Sequence, residues 1–223
     1  MNKDSKYYAF SRPEMVKYVP ENSKKILDVG CSEGNFGKLL RETIGCEVYG
    51  IEMNRGAFMK AYKVLDDVFI GDADDAICHI CSHTNLKFDC VVFNDSLEHF
   101  SYPENILTKV KPLLNNDGVI VASIPNMRYL PVLKDLLFGK NWEYKDSGIL
   151  DNTHMRFFTI NSIKTLFNNA GYEVISIEGI NKRDDLVENA KNLGDLLLLD
   201  LSDTVYLQFA VVARKVVNNE NIS

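Results

Sequence analysis

One stretch near the start of the chain constrains the fold more than any other: residues 26–37, which read ILDVGCSEGNFG. An apolar run that ends in Asp28 is typical of a buried parallel strand, and Gly30, Gly34 and Gly37 follow it closely. The apolar residues after them recur at nearly helical spacing. The stretch therefore predicts a strand, a tight turn and a helix. A ligand can approach the backbone N–H groups of such a turn because glycine has no Cβ.

The spacing of this turn indicates which ligand it suits. A dinucleotide-binding fingerprint reads G-x-G-x-x-G, and its helix begins at a pyrophosphate. Here the pattern is D-x-G-x-x-x-G, and Ser32 stands where the second glycine of the fingerprint would fall. The acids Asp28 and Glu33 disfavour a pyrophosphate and favour a ligand that carries positive charge and an amino group. We also expect the Ser32 hydroxyl to be able to cap the following helix.

Acids and amides recur at the ends of the next predicted strands. Glu52 ends the second strand, Asp72 ends the third, and residues 94–99 (NDSLEH) follow the fourth. Because the carboxyl ends of parallel strands meet at one edge of a sheet, we expect these residues around a single cleft. A carboxylate at the tip of the second strand can accept hydrogen bonds from both hydroxyls of a ribose. The pattern therefore favours a ligand that contains a nucleoside.

This order of strand ends resembles that of the class I S-adenosylmethionine-dependent methyltransferases, over about residues 10–215. The L-E-H ending after strand four resembles small-molecule methyltransferases. Residues 151–159 (DNTHMRFFT) resemble a segment of methyltransferases from sugar and surface-polysaccharide pathways. The resemblance implies a Rossmann-like three-layer α/β/α sandwich. Its seven-stranded, mostly parallel sheet would have the last strand antiparallel, with a lid insertion after strand five.

The resemblance also implies the cofactor, S-adenosylmethionine, with S-adenosylhomocysteine as its product. Glu52 would hold the ribose, and Asp72 and Ala73 the adenine. Asp28, Gly30 and Gly34 would shape the methionine end of the pocket. The full set of cofactor-binding residues carried over in this way is Asp28, Gly30, Cys31, Gly34, Glu52, Met53, Asp72, Ala73, Asn94 and Leu97.

Three residues are candidates for the chemistry at the acceptor, which we expect to be a hydroxyl of a sugar or a related metabolite. His99 is the first candidate for the base that takes the hydroxyl proton, and His154 is the second. Arg156 is a candidate for contact with the acceptor. Each has a structural alternative: His99 could bond the following helix, while His154 and Arg156 could pin the long segment 126–159. That segment is rich in aromatic residues and is predicted to be a lid or a substrate-facing insertion.

No metal site is predicted. Cys78, His79, Cys81 and His83 crowd one predicted helix, whereas a structural zinc site takes its ligands from two separated pairs. A magnesium site that uses Asp95 as a ligand stays possible. The cysteines are odd in number and lack the spacing of a disulfide framework, so we expect reduced intracellular thiols at positions 31, 46, 78, 81 and 90.

Composition and charge limit the remaining possibilities. The chain has 223 residues, of which 46% are hydrophobic, and this suits one globular domain. The resemblance implies that this is a single methyltransferase domain over 1–223, with a helix expected within 1–23 and a polar tail at 216–223. A net charge of −6 without long Lys/Arg clusters argues against nucleic-acid binding. No apolar run approaches the ~18 residues that span a membrane. The N-terminus lacks the apolar region of a signal peptide, so a cytoplasmic location is expected.

Local patterns predict element boundaries as well. We expect helices over 57–65, 103–111, 159–170 and 183–201, and a turn at 115–118. The four leucines that end the last of these helices are expected in the core or in the face of a homodimer.

Three functions stay open from the sequence. A small-molecule methyltransferase is favoured. A nicotinamide-dependent oxidoreductase is disfavoured by the missing G-x-G-x-x-G pattern and by Asp28. A non-catalytic protein that binds S-adenosylmethionine or S-adenosylhomocysteine would keep the same cofactor pocket.

Tyr8 and Arg12 could contact the ligand at the mouth of the site, or serve only packing and surface charge.

Overall fold

The structure is a computed structural model that describes residues 10–216. Its centre is a seven-stranded sheet in the order β3-β2-β1-β4-β5-β7-β6. β7 runs antiparallel to both of its neighbours, and the other paired strands are parallel. The strands are β1 Lys25–Val29, β2 Glu47–Glu52, β3 Asp67–Ile70, β4 Phe88–Asn94, β5 Leu114–Pro125, β6 Tyr172–Lys182 and β7 Tyr206–Lys215.

Helices cover both faces of this sheet. Those of the described range are α1 Asn35–Ile44, α2 Arg55–Ala61, α3 Ala73–His83, α4 Pro103–Val110, α5 Leu130–Leu137, α6 Ile160–Asn169 and α7 Val187–Leu197. One buried cluster joins α3, α4 and α6 to the sheet, and a second joins α1 and α2 to the opposite face. Alternate residues of one strand supply the two clusters, as Leu27 and Ile26 of β1 do, because successive side chains of a strand point to opposite faces.

The strand order places a cleft at the centre of the sheet. β1 pairs with β2 on one side and with β4 on the other, so the chain reverses its direction of travel across the sheet after β3. In open α/β sheets, ligands bind outside the carboxyl ends of the strands at such a switch point. The predicted fold, with its mostly parallel sheet and antiparallel last strand, is confirmed.

Several predicted boundaries were wrong for local reasons. α2 begins at Arg55 because the side chain of Asn54 caps it, accepting hydrogen bonds from the N–H groups of Gly56 and Ala57. It ends at Ala61, short of the predicted residue 65. Residues 115–118, predicted to form a turn, lie within β5. The pairing of β5 with β4 shifts register at this point, so these residues form an irregularity within the strand.

The helix predicted over 183–201 is also shorter than expected. A 3-10 turn, Asp184–Leu186, precedes α7, and α7 ends where Leu198 adopts a left-handed conformation with φ 57°. The leucine run is not core: Leu198 is 91% exposed, and its three neighbours in the run are exposed as well. The role of this run as a dimer face stays a prediction.

The N-terminal helix is a short 3-10 helix, Pro13–Tyr18, with proline at its first position. Tyr8 and most of the predicted polar tail lie outside the described residues. Within residues 10–216, no helix has both the length and the apolar character needed to cross a membrane.

Candidate active site

The glycine-rich turn after β1 is fixed to the neighbouring strand. The N–H groups of Gly30 and Cys31 both donate to the carbonyl oxygen of Ile51, at 2.9 and 3.0 Å. Gly30 has φ 81°, and a Cβ built there would lie 3.2 Å from Cβ of Ser96. Gly34, also at φ 81°, is the N-cap of α1 and has no side chain that could cap the helix, and capping by the Ser32 hydroxyl stays a prediction. The glycines keep the backbone open where β1 meets the cleft.

Glu52, at the tip of β2, holds this turn through its side chain. Its Oε2 accepts a hydrogen bond from the N–H of Ser32 at 2.9 Å, and its Oε1 accepts one from the N–H of Asn54 at 2.6 Å. Burial raises the pKa of the carboxyl above its ordinary value, against the lowering effect of these hydrogen bonds. Each carboxylate oxygen has further acceptor capacity, so Glu52 can still receive hydroxyl groups.

Asp28 is a buried acid beside it. Its side chain is 2% exposed, and Oδ1 has no hydrogen-bond partner among the described residues. Burial, followed by the negative charge of Glu52, raises the pKa of Asp28 to about 7. A buried carboxyl without a partner is costly, and a ligand with an N–H donor or a positive charge would offset that cost.

The end of β4 adds further polar atoms without partners. Within the described part of the chain, the side-chain nitrogen and oxygen of Asn94 and Oγ of Ser96 are buried and make no hydrogen bond. β4 is paired directly to β1, so these atoms belong to the same edge of the sheet as Asp28. Buried polar groups are normally hydrogen-bonded. Their grouping here indicates a site for a polar ligand that both donates and accepts hydrogen bonds. Ser96 was not among the predicted site residues.

The other predicted cofactor residues differ in how they could contribute. Cys31 is buried against Gly50, and burial raises the pKa of its thiol. Leu97 is fully buried, whereas Met53 is 74% exposed. Asp72 caps α3 by accepting from the N–H of Asp74 at 2.8 Å.

Two acids have structural partners instead of the predicted ligands. Glu33 pairs with Lys60 at 2.6 Å, which offsets the negative charge that the sequence analysis assigned to the turn. The carboxylate of Asp95 is bonded by Arg12, Ser123 and Gln208. These contacts use the acceptor capacity of Asp95 and disfavour the magnesium site left open for it. They also place Arg12 at this edge of the sheet, in contact with Asp95.

The two candidate bases lie side by side. His99 is in a 3-10 turn, Leu97–His99, that follows β4, and His154 comes from the segment between β5 and α6. Their ring centroids are 4.8 Å apart in an edge-to-face arrangement. The N–H groups of Met155 and Arg156 donate to the carbonyl oxygen of Glu98 at 2.8 and 3.0 Å, and so hold this segment over the end of β4.

Glu98, like Ser96, was not among the predicted site residues. Its side chain is 1% exposed, and neither carboxylate oxygen has a hydrogen-bond partner in the described range. Oε1 lies 3.8 Å from Nε2 of His154, and burial raises the pKa of Glu98 to about 8. Glu98 is the acid of the L-E-H motif, so the sequence contained a signal for it, but only the histidine of that motif is a predicted site residue.

Arg156 lies at the rim of this cluster. It is exposed, and its guanidinium carbon is 6.0 Å from the ring centroid of Tyr102. Close by, Phe157 packs edge-to-face against Trp142 at 5.5 Å between centroids. The predicted acceptor residues are thus brought to one end of the sheet, with aromatic side chains around them.

The fold and this cleft define a Rossmann-like α/β protein with a site for a polar ligand at its switch point. Residues 4–177 match the family model of the methyltransferase domain, and the chain belongs to that family.

Two related proteins and one solved structure are similar to this chain at sequence identities of 28%, 23% and 19%. A ubiquinone biosynthesis O-methyltransferase of Glaesserella parasuis is 28% identical over 109 residues, a match that spans 46% of this chain and 46% of that protein. An uncharacterized protein of Methanocaldococcus jannaschii is 23% identical over 192 residues, 79% of this chain and 72% of the relative. The crystal structure of a SAM-dependent methyltransferase from Archaeoglobus fulgidus has a TM-score of 0.68 at 19% identity, covering 91% of each chain. This last likeness concerns the fold.

Proposed function

We propose that this methyltransferase uses S-adenosylmethionine and transfers its methyl group to a hydroxyl of a small-molecule acceptor, a sugar or a related metabolite. The observation that carries the proposal is the set of buried polar atoms without partners at the ends of β1 and β4, in Asp28, Asn94 and Ser96. The solved relative from Archaeoglobus fulgidus is named for the same cofactor.

The residues of the cleft fit this cofactor by their chemistry. Asp28, Asn94 and Ser96 offer donors and acceptors for an amino-acid end that carries both an ammonium and a carboxylate. The cation would also lower the cost of the buried charge at Asp28. Glu52 offers acceptor oxygens to the ribose hydroxyls. Its place on the strand adjacent to β1 agrees with a ligand that extends across both strand ends.

The adenine end of the cofactor would lie toward β3. Asp72 accepts one hydrogen bond at its Oδ1 as the cap of α3, and a carboxylate keeps further acceptor capacity for an amino group. Ala73, the first residue of α3, presents little bulk beside a flat ring.

The bound cofactor supplies an electrophilic methyl group on a sulfonium, which is already a good leaving group. The protein has to hold the acceptor oxygen in line with that methyl and exclude water. A hydroxyl acceptor must also lose its proton, and His99 and His154 are the groups from which we expect this activation. Both lie beyond the end of β4, the strand that also carries Asn94 on the cofactor side.

The residues at the rim of the cluster support the proposed acceptor class. The name of the Glaesserella relative specifies transfer to oxygen. Trp142, Tyr144 and Phe157 form an exposed or half-exposed aromatic group in the segment that carries His154. Aromatic faces pack against the apolar faces of sugar rings, and Arg156 can bond a carboxylate or a phosphate.

A methyl-transfer screen tests this proposal. Methyl-labelled S-adenosylmethionine is incubated with the protein and with sugars, sugar nucleotides or phenols, and label in the acceptor is measured. We expect transfer to at least one hydroxyl acceptor, and loss of transfer in Asp28→Ala, with Asp66→Ala as the control outside the cleft. Tight cofactor binding without transfer to any acceptor would instead indicate a non-catalytic binding protein.

A further inference from the structure

Glu98, His99 and His154 form a compact group of potential metal ligands. Each residue offers one ligand atom, and these atoms all lie within 4.8 Å of one another. The Oε1 of Glu98 and Nε2 of His154 are 3.8 Å apart. Imidazole and carboxylate ligands bind Zn²⁺ at about 2.0–2.2 Å, which sets neighbouring ligand atoms roughly 3–4 Å apart. Small side-chain rotations would therefore bring the three ligand atoms around one ion.

Both imidazoles are already oriented through their other nitrogen. Nδ1 of His99 is 3.2 Å from the carbonyl oxygen of Thr153, and Nδ1 of His154 is 2.9 Å from that of Ile149. A carbonyl oxygen can only accept, so each Nδ1 carries the proton. In a neutral imidazole the lone pair is then on Nε2. Metal-binding histidines in proteins are held in this way, by a hydrogen bond from the ring N–H to a carbonyl or a carboxylate.

The carboxylate of Glu98 is the second, independent observation. It is buried to 1% exposure, and both of its oxygens are without a hydrogen bond among the described residues. Lys and Arg side chains do not pair with it within 4.0 Å in residues 10–216. A buried acid in this state is costly to the fold, and a cation bound between it and the imidazoles would offset that cost.

We propose that Glu98, His99 and His154 bind one divalent first-row transition metal ion, such as Zn²⁺. Two imidazole nitrogens and one carboxylate oxygen suit such an ion, whereas Mg²⁺ and Ca²⁺ favour sites built from oxygen alone. This inference rests on the proposed function, because it places the ion on the acceptor side of the cleft. The sequence predicts no metal site here, and the fold is what brings His154 to the L-E-H motif.

The ion would assist the proposed reaction at the acceptor. Three protein ligands leave at least one coordination position for the acceptor hydroxyl, whose pKa would fall on contact with the ion. In the transfer, the bond between the acceptor oxygen and the methyl carbon forms while the bond between that carbon and sulfur breaks. With Nε2 of both imidazoles bound to the ion, the histidines would act as its ligands and not themselves as the base, and the hydroxyl proton passes to water. S-adenosylhomocysteine leaves as the neutral thioether.

The chain offers a matched control on α3. His79 and His83 are exposed one helical turn apart with ring centroids 4.5 Å apart, and Cys78 and Cys81 are exposed on the same helix. A pair of this kind can chelate ions adventitiously at a surface. The other two of the four histidines of the chain are those of the proposed site.

Titration of Co²⁺ into the chelator-treated full chain tests the site without any need for activity. Binding is followed by the visible absorption of Co²⁺ and by calorimetry. We expect one high-affinity ion per chain. Glu98→Gln and His154→Ala should each weaken binding at least about tenfold. The variant that replaces Cys78, His79, Cys81 and His83 together by serine or alanine should bind within about twofold of wild type.

Thermal unfolding of each variant shows that it is folded, and Glu98→Gln preserves the volume of the buried side chain. Binding that is equally strong in Glu98→Gln, or that disappears in the α3 variant, would overturn the proposed site. Full methyl transfer by the chelator-treated protein would overturn its catalytic role while leaving the proposed function intact. Specific Co²⁺ binding without any methyl transfer would uphold the site and count against the proposed function.

Discussion

The Oε2 atom of Glu52 accepts a hydrogen bond from the backbone N–H of Ser32 at 2.9 Å. This contact joins the tip of β2 to the glycine-rich turn after β1. The same carboxylate accepts from the N–H of Asn54 through its other oxygen. Glu52 therefore organises the cleft before any ligand arrives, and it does so with acceptor capacity left over for hydroxyl groups.

Gly34 is required by packing as well as by its backbone conformation. A Cβ at this position would lie 2.8 Å from Cγ2 of Val64 and 3.1 Å from Cα of Ala61, at φ 81°. We expect Gly34→Ala to lower the free energy of unfolding by about 2–4 kcal/mol in denaturant titrations. Gly45→Ala is the control, because Gly45 has φ 69° but no atom within 4 Å of the built Cβ. It should cost only about 1 kcal/mol, and equal costs would contradict the packing argument.

Asp28 makes the stability of the ligand-free protein depend on pH. Burial and the charge of Glu52 raise its folded-state pKa to about 7, whereas an unfolded Asp titrates near 3.9. The folded state therefore binds the proton of Asp28 more tightly than the unfolded state does. The contribution of Asp28 to the free energy of unfolding is fully present below pH ~4 and is lost as the pH rises toward 7. Asp28 contributes at most about 1.4 kcal/mol per pH unit to the slope of the free energy of unfolding against pH.

Asp28→Asn removes this titration. We therefore expect the free energy of unfolding of Asp28→Asn to rise relative to wild type between pH 4 and 7, and the difference to become constant above pH 7. Denaturant titrations of both proteins across that range measure it. Parallel pH profiles would show that Asp28 is ionised normally in the folded protein.

Substitution of a histidine of the His99–His154 pair distinguishes a role in catalysis from a role in cofactor binding. We expect His154→Ala to reduce methyl transfer at saturating S-adenosylmethionine by about 10²–10⁴-fold while the Kd for the cofactor changes less than about twofold. His83→Ala, which removes an exposed histidine of α3, should leave both quantities unchanged. Unaltered turnover in His154→Ala would contradict the assignment and favour a structural role for this residue.

Arg156 is expected to act on the acceptor alone. Its guanidinium is exposed above the ring of Tyr102, beyond the His99–His154 pair. Arg156→Ala should raise the KM for the acceptor about tenfold or more and leave the KM for the cofactor unchanged, because charged hydrogen bonds contribute about 1.5–3 kcal/mol. Arg55→Ala, at the first residue of α2, is the control. A similar change in both KM values would mean that Arg156 supports the fold of the site as a whole.

The parts of the fold that the sequence predicts best are those with strong local signals. β1 and β4 are mostly apolar and almost wholly buried, and each carries a polar residue at or next to its carboxyl end, which the strand direction brings to the cleft. Asp28 and Asn94 could thus be assigned to one edge of the sheet from the pattern alone. Thr159, the first residue of the helix predicted over 159–170, is the N-cap of α6, where it forms a capping box with Ser162.

The contacts that escaped prediction are long-range and have no periodic signal. His154 meets Glu98 only because the segment before α6 folds back, with Asn126 and Phe158 bridging its two ends. Asp95 was a candidate ligand in the sequence, but its partner Arg12 comes from the far N-terminal side of the chain. Such pairings depend on the three-dimensional path of irregular segments, which residue spacing does not encode.

Binding of S-adenosylmethionine in the cleft is measured by calorimetric titration. S-adenosylmethionine, S-adenosylhomocysteine and NADH are titrated into wild type, Glu52→Gln and Glu47→Gln. The last variant is the control, since Glu47 begins the same strand and pairs with Lys25 at the surface. We predict binding of the first two ligands to wild type and Glu47→Gln, and affinity at least about tenfold weaker in Glu52→Gln. Binding of NADH alone, or affinity for S-adenosylmethionine that is insensitive to Glu52→Gln, would contradict the account.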